Sequence, residues 1–195
     1  MKPFKILSVN FFLTLLLVSC ATPYLHYRDD MFAGRGLLDE GSYKEAREVF
    51  VNASREQRRA AAFAFAATAS YKMGDLPAAE QFIAEAEAAP YGNYVYARIL
   101  GYKALTLLGQ GRQDEGLAAL KAYIDYYKQL YPLMSIEKVE DMYQRRQVNM
   151  ARLERLIDDE VINYEQEIQQ AATTGTGYYA TRPPMGIINE GFTIY

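Results

Sequence analysis

The sequence predicts an all-α fold: a solenoid of helical hairpins closed by a long C-terminal capping helix and followed by an extended tail. Three observations carry this. The glycines Gly41, Gly74 and Gly111 stand 33 and 37 residues apart, close to the ~34-residue period of a two-helix repeat. Five residues after each comes a small residue (Ala46, Ala79, Gly116), and four further on a bulky apolar one (Phe50, Ile83, Leu120). From Ile136 to Ala171 there is neither proline nor glycine, while apolar residues recur at steps of three and four.

Each position in the repeat has a physical reason. Glycine ends the first helix because the reversing residue takes a left-handed backbone that other residues adopt only at a cost. Tyr43 and Leu76, two residues later, can turn inward and cover the joint. Ala46, Ala79 and Gly116 fall where the second helix passes closest to the first, and a larger side chain there would push the two apart. Phe50, Ile83 and Leu120 then fill the space between repeats.

Over residues 27 to 130 this pattern resembles the tetratricopeptide repeat, with Gly34, Ala67 and Ala104 at the small position of the first helices. It departs from the family in three ways. The aromatic residue near the start of the first helix is missing, Gln113 replaces the apolar turn residue in the third copy, and Pro90-Tyr91-Gly92-Asn93 lengthens the second period.

The chain opens with Met1 to Lys5, carrying two lysines, and an apolar run of 13 residues from Ile6 to Val18 broken only by Ser8, Asn10 and Thr14. That is short for a bilayer span and has the three-part form of a secretory signal. Leu17-Val18-Ser19-Cys20 resembles a bacterial lipobox, which implies cleavage after residue 19 and a covalent lipid on Cys20, the only cysteine. By the same resemblance, Ala21 rather than aspartate after the cysteine implies the periplasmic face of the outer membrane. Acyl chains at ~0.8 kcal/mol per buried methylene would make the anchor effectively permanent.

Residues 20–23 leave a tether of only ~10 Å, so the first repeat is expected against the membrane. Tyr24 and Tyr27 then either sit at headgroup level or pack on repeat one. The repeats occupy 24–131. Their helices are expected at Tyr24 to Asp39, Tyr43 to Ala53, Gln57 to Met73, Asp75 to just before Pro90, Tyr94 to Leu108 and Gln113 to Leu130. Asp75 reads as an N-cap with Pro77 in the first turn. The third helix, with Ala60-Ala61-Ala62-Phe63-Ala64-Phe65-Ala66-Ala67, is small nearly all round, as the centre of a stack requires.

The long helix is placed at 135–172, with a seam of Ile136, Val139, Tyr143, Met150, Leu153, Ile157, Val161, Tyr164 and Ile168 interrupted by Arg146. It serves either as the end cap a solenoid needs or as a homodimerising coiled coil. In the tail, 173–195, Thr173-Thr174-Gly175-Thr176-Gly177 does not sustain a helix and Arg182-Pro183-Pro184 favours extended geometry. Tyr178, Tyr179, Phe192 and Tyr195 make it too apolar for a solvated linker, so it docks on its own solenoid or on a partner.

Catalysis finds no constellation. His26 is the only histidine, no metal set or phosphate-binding loop occurs, and the carboxylates Asp29-Asp30 and Asp158-Asp159-Glu160 read as solvated helix faces. Cofactors are expected to be none beyond the lipid. The net charge of −3, falling to −5 without Lys2 and Lys5, argues against nucleic acid.

Binding does have a location. In tetratricopeptide proteins the first helices line a concave groove, and the resemblance places Arg28, Met31, Arg35 and Leu38 there, then Arg59, Ala61, Thr68, Tyr71 and Lys72, then Arg98, Leu105 and Leu108. This surface is basic on an acidic chain, which suits an acidic or carboxylate-ended segment of an envelope protein. The expected function is a non-catalytic outer-membrane lipoprotein that scaffolds an envelope machine. In plan it is similar to pilotins of pilus secretins and to repeat lipoproteins of outer-membrane protein insertion. A subunit of polysaccharide export and an activator of a cell-wall enzyme are the alternatives.

Overall fold

The computed structural model describes residues 22–90, 93–130 and 136–181. Cys20, Phe192 and Tyr195 lie outside the described residues. Six helices pair in order: α1 (Thr22–Asp39) with α2 (Tyr43–Glu56), α3 (Ala60–Lys72) with α4 (Leu76–Ala88), and α5 (Tyr96–Gly109) with α6 (Gln113–Leu130). Each hairpin packs on the next, α2 against α3 and α4 against α5, and no strand occurs among the described residues. The fold is an all-α helical-hairpin repeat.

The three hairpin turns share one geometry. Gly41, Gly74 and Gly111 take φ of 79°, 77° and 77°. In the first turn the Ser42 N–H donates to the Leu37 carbonyl and the Gly41 N–H to the Leu38 carbonyl, at 2.8 and 3.1 Å. Asp75 and Gly74, then Arg112 and Gly111, repeat this pair of bonds. This is the Schellman arrangement, which satisfies carbonyls that the helix end leaves bare. Asp75 caps α4 as expected, its Oδ1 accepting from the Ala78 N–H at 3.3 Å.

The close approaches also fall where the sequence puts them. A methyl group added at Gly34 would meet Phe50 at 2.5 Å, and one at Gly116 would meet Leu108 at 2.6 Å. Every residue of α3 from Ala60 to Ser70 is buried, so the alanine run lets three neighbouring helices crowd one axis. The helix starts at Ala60 rather than Gln57, and the Ala60 N–H donates to the Pro90 carbonyl at 3.3 Å.

The single helix expected over 135–172 is two helices, α7 (Ile136–Gln144) and α8 (Met150–Thr174). Arg146 adopts φ 52°. The Gln147 N–H bonds to the Met142 carbonyl and the Arg146 N–H to the Tyr143 carbonyl, which reproduces the hairpin turn without glycine. Asn149 then caps α8, its Oδ1 accepting from the Arg152 N–H at 3.0 Å. Capping is shared: α7 packs on α6 and α8 on α5. Burial explains the break, since Leu153, Ile157, Val161, Tyr164 and Ile168 are all about 1% exposed or less. At ~1.5–3 kcal/mol for each such side chain, this seam outweighs a left-handed arginine at ~1–2 kcal/mol.

The start of the tail is not extended. Thr173 and Thr174 finish α8, Gly175 ends it with φ 65°, and Tyr178–Thr181 form a short helix, α9, that folds back onto α8.

A basic groove filled by an acidic helix

The first helix of each hairpin, α1, α3 and α5, faces the same side, and α8 lies along it. A glycine in α5 makes the approach possible, because a methyl group at Gly101 would meet Ile157 Cγ2 at 2.6 Å. Asp158 pairs with Tyr102, and Glu165, two turns later, with Arg98. Helix α8 therefore runs antiparallel to α5.

The polar contacts between α8 and the groove form two clusters. In the first, Lys72 Nζ donates to Glu154 Oε1 and Asp158 Oδ2, both at 2.5 Å. Tyr71 Oη donates to Glu154 Oε2 at 3.4 Å and Tyr102 Oη to Asp158 Oδ1 at 2.5 Å. The two rings meet edge to face, 5.6 Å between centroids. Burial opposes the charge on Lys72, but the hydrogen bonds to Asp158 and Glu154 outweigh it and hold its pKa above the ordinary value. Burial, and after it the neighbouring carboxylates, push the Tyr71 and Tyr102 phenols up.

The second cluster is deeper. Arg98 and Glu165 are each 4% exposed and meet in a two-point bond, Nε to Oε1 at 2.7 Å and Nη2 to Oε2 at 2.8 Å. Arg98 Nη1 also donates to Thr68 Oγ1 at 3.2 Å, and the guanidinium lies 4.2 Å from the Phe65 ring centroid. Planar pairing with an aromatic face below is a role arginine fills and lysine does not. Arg35 reaches the same carboxylate at 3.9 Å and lies 5.2 Å from the Phe65 ring centroid.

Three of the expected groove cations, Arg35, Lys72 and Arg98, are thus brought together with Tyr71, but not as an open basic surface. The chain's own α8 neutralises them, which corrects the expectation of a groove free for an acidic partner. Arg98 is interior rather than solvated. Leu105, like Met31 and Ala61, belongs to the core. Arg28 is half-exposed and pairs with its neighbour Asp29 at 3.0 Å. Arg59 lies over the Tyr27 ring, which is buried.

The acids that complete the site sit in stretches the sequence presents as solvated. Asp158 faces the groove, and Glu160 is 3% exposed and accepts from Tyr127 Oη. The signal was available in register: Glu154, Asp158 and Glu165 share a helix face with Ile157 and Val161. Of the tail residues, Tyr179 is buried with its ring 5.5 Å from Tyr164, and its hydroxyl reaches the Leu130 carbonyl at 3.4 Å. Tyr178 lies edge-on to Tyr179. The first part of the tail docks in cis.

Between α1 and α8 a cleft of about 290 Å³ remains, lined by Arg35, Asp39, Tyr43, Phe65, Lys72 and Asp158 among others. Its walls alternate in charge, so it suits a segment carrying both signs or one able to compete for the cations. Among the described residues no group of histidine, cysteine and carboxylate side chains converges to hold a metal ion. None of their helices is long and apolar enough to cross a membrane. No known protein family, curated protein or solved structure matches the chain.

Proposed function

We propose that the chain is a non-catalytic scaffold of the bacterial envelope, anchored through a lipid on Cys20 to the periplasmic face of the outer membrane. Its hairpins are then tetratricopeptide-like repeats that hold a partner protein. The observation that carries the reading is the cleft between α1 and α8, to which all three hairpins contribute charged or aromatic side chains. The expected partner segment is acidic and competes with Asp158 and Glu165 for Lys72 and Arg35, in the manner of charge-assisted recognition elsewhere.

Two measurements test the two halves of the proposal. Metabolic labelling with palmitate, followed by membrane fractionation, should mark the wild-type chain in the outer membrane and leave Cys20→Ser unlabelled. An unlabelled wild-type chain refutes the anchor. A photo-crosslinking residue at Asp39, which is exposed on the cleft rim, should capture an envelope protein, and Lys72→Glu should abolish that capture. Capture unaffected by Lys72→Glu refutes the cleft as the binding site.

A further inference from the structure

We propose that α8 is exchanged between two copies of this chain, with residues 136–174 straightening into one helix whose second half lies in the groove of the other copy. Four turns share the Schellman geometry, but Arg146, φ 52°, is the only residue other than glycine with positive φ among those described. A β-carbon in that conformation is strained. Residues 145–149 contain neither proline nor glycine, so continuing the helix through them restores ordinary backbone and regular hydrogen bonds.

Among the described residues the reversal is held by its two backbone hydrogen bonds and by Tyr143, Val148 and Met150, which are only partly buried against the core. Helix α7 packs on α6 and α8 on α5, with no comparable packing of α7 on α8. Arg146 Nη2 also ties the turn to the start of α6, pairing with Asp114 at 2.6 Å, but both side chains are more than half exposed, where an ion pair contributes little. A short hinge under strain is the local feature that favours exchange of an element between identical chains.

The groove, in contrast, is costly to leave empty. Without α8, the buried Arg98 loses Glu165 and the seam from Leu153 to Ile168 loses its cover, so an opened chain needs a replacement. The occupant that supplies Glu154, Asp158 and Glu165 at the matching register, and Ile157 opposite Gly101, is α8 of a second copy. Reciprocal exchange refills both grooves with the same contacts and relieves two strained turns.

A cysteine pair distinguishes the two arrangements. A β-carbon at residue 101 would lie 2.6 Å from Ile157 Cγ2, which is one bond from Cβ, so Gly101→Cys with Ile157→Cys falls near the ~3.5–4.5 Å Cβ separation of disulfides. The full-length pair is expressed in two isotope-labelled forms, mixed during synthesis, and oxidised in membranes. Bridged peptides joining residues 101 and 157 are then sorted by mass into same-chain and mixed-chain species.

Two backgrounds set the hinge. Arg146→Gly relaxes the turn and opposes the straight helix, whereas Arg146→Ala keeps the strained turn and favours the straight helix slightly. Each hinge should shift the equilibrium by about 30-fold or more, so with two hinges the ratio of mixed-chain to same-chain bridges should be roughly a thousandfold lower for Arg146→Gly than for Arg146→Ala, with wild type close to Arg146→Ala. Same-chain bridges alone in both backgrounds, or equal fractions, overturn the proposal. Should the cysteine pair not fold, light scattering of the two Arg146 variants in mild detergent decides it: a dimer with Ala and a monomer with Gly support exchange, and equal masses refute it.

Discussion

Arg98 is the residue whose removal the fold should tolerate least. Arg98→Met leaves the Glu165 carboxylate buried without its cation, and breaking such a pair costs about 3–5 kcal/mol. The double variant Arg98→Met, Glu165→Leu removes both charges and should recover most of that loss, measured as the urea midpoint of each variant. A second prediction concerns alkali. The Tyr71, Tyr102, Tyr123, Tyr127 and Tyr164 phenols are all pushed up, by burial first and then by neighbouring carboxylates or tyrosines. A raised folded pKa gives stability that is complete below the ordinary phenol value of 10.0 and is lost as pH rises past it. Lys72, also raised, has the same sign. Tyrosinate absorbance should therefore appear together with loss of helical circular dichroism above pH 10.0, whereas independently exposed phenols would titrate before the helices melt.

At the scale of the element, two glycines of α1 give opposite forecasts. Gly34→Ala drives a methyl group into Phe50, 2.5 Å away, and should lower stability by about 1–3 kcal/mol through overpacking. Gly36→Ala meets nothing within 4 Å and should raise it by ~0.5–1 kcal/mol through helix propensity. Thermal unfolding of the two variants checks both. The same elements show what the sequence makes legible. Hairpin turns could be read because glycine is both their chemical requirement and their label, and α6 begins and ends at the expected residues, Gln113–Leu130. The turn at Arg146 could not, because its left-handed residue is tolerated only for the sake of burial that α8 gains elsewhere in the fold.

For the whole molecule, α8 changes how the repeats depend on one another. Stacked hairpins contact only their neighbours, so their stability is a sum of local contributions. Helix α8 adds contacts to all three, through Arg35, Lys72 and Arg98. Deleting residues from 145 onward should turn one cooperative urea transition into a broader, multistep one, followed by circular dichroism. This is also where sequence reading stopped for the site. The repeat resemblance put Arg35, Lys72 and Arg98 on one face, because the first helix of every hairpin lines it. Their anions lie on a helix outside the repeat period, with Glu165 67 residues from Arg98, and no local pattern links the two.

The antiparallel seating of α8 also fixes its response to tension. A pull applied at α9 meets the end of α8 first, so the helix peels away one contact at a time: Ile168, then Glu165 from Arg98, then Asp158 from Lys72 and Tyr102, and last Leu153. Peeling loads each bond in turn instead of shearing all together, so α8 should detach at low force while the three hairpins stay folded. A chain tethered at its beginning and gripped near its end would yield at this helix before its repeats, uncovering its groove under load.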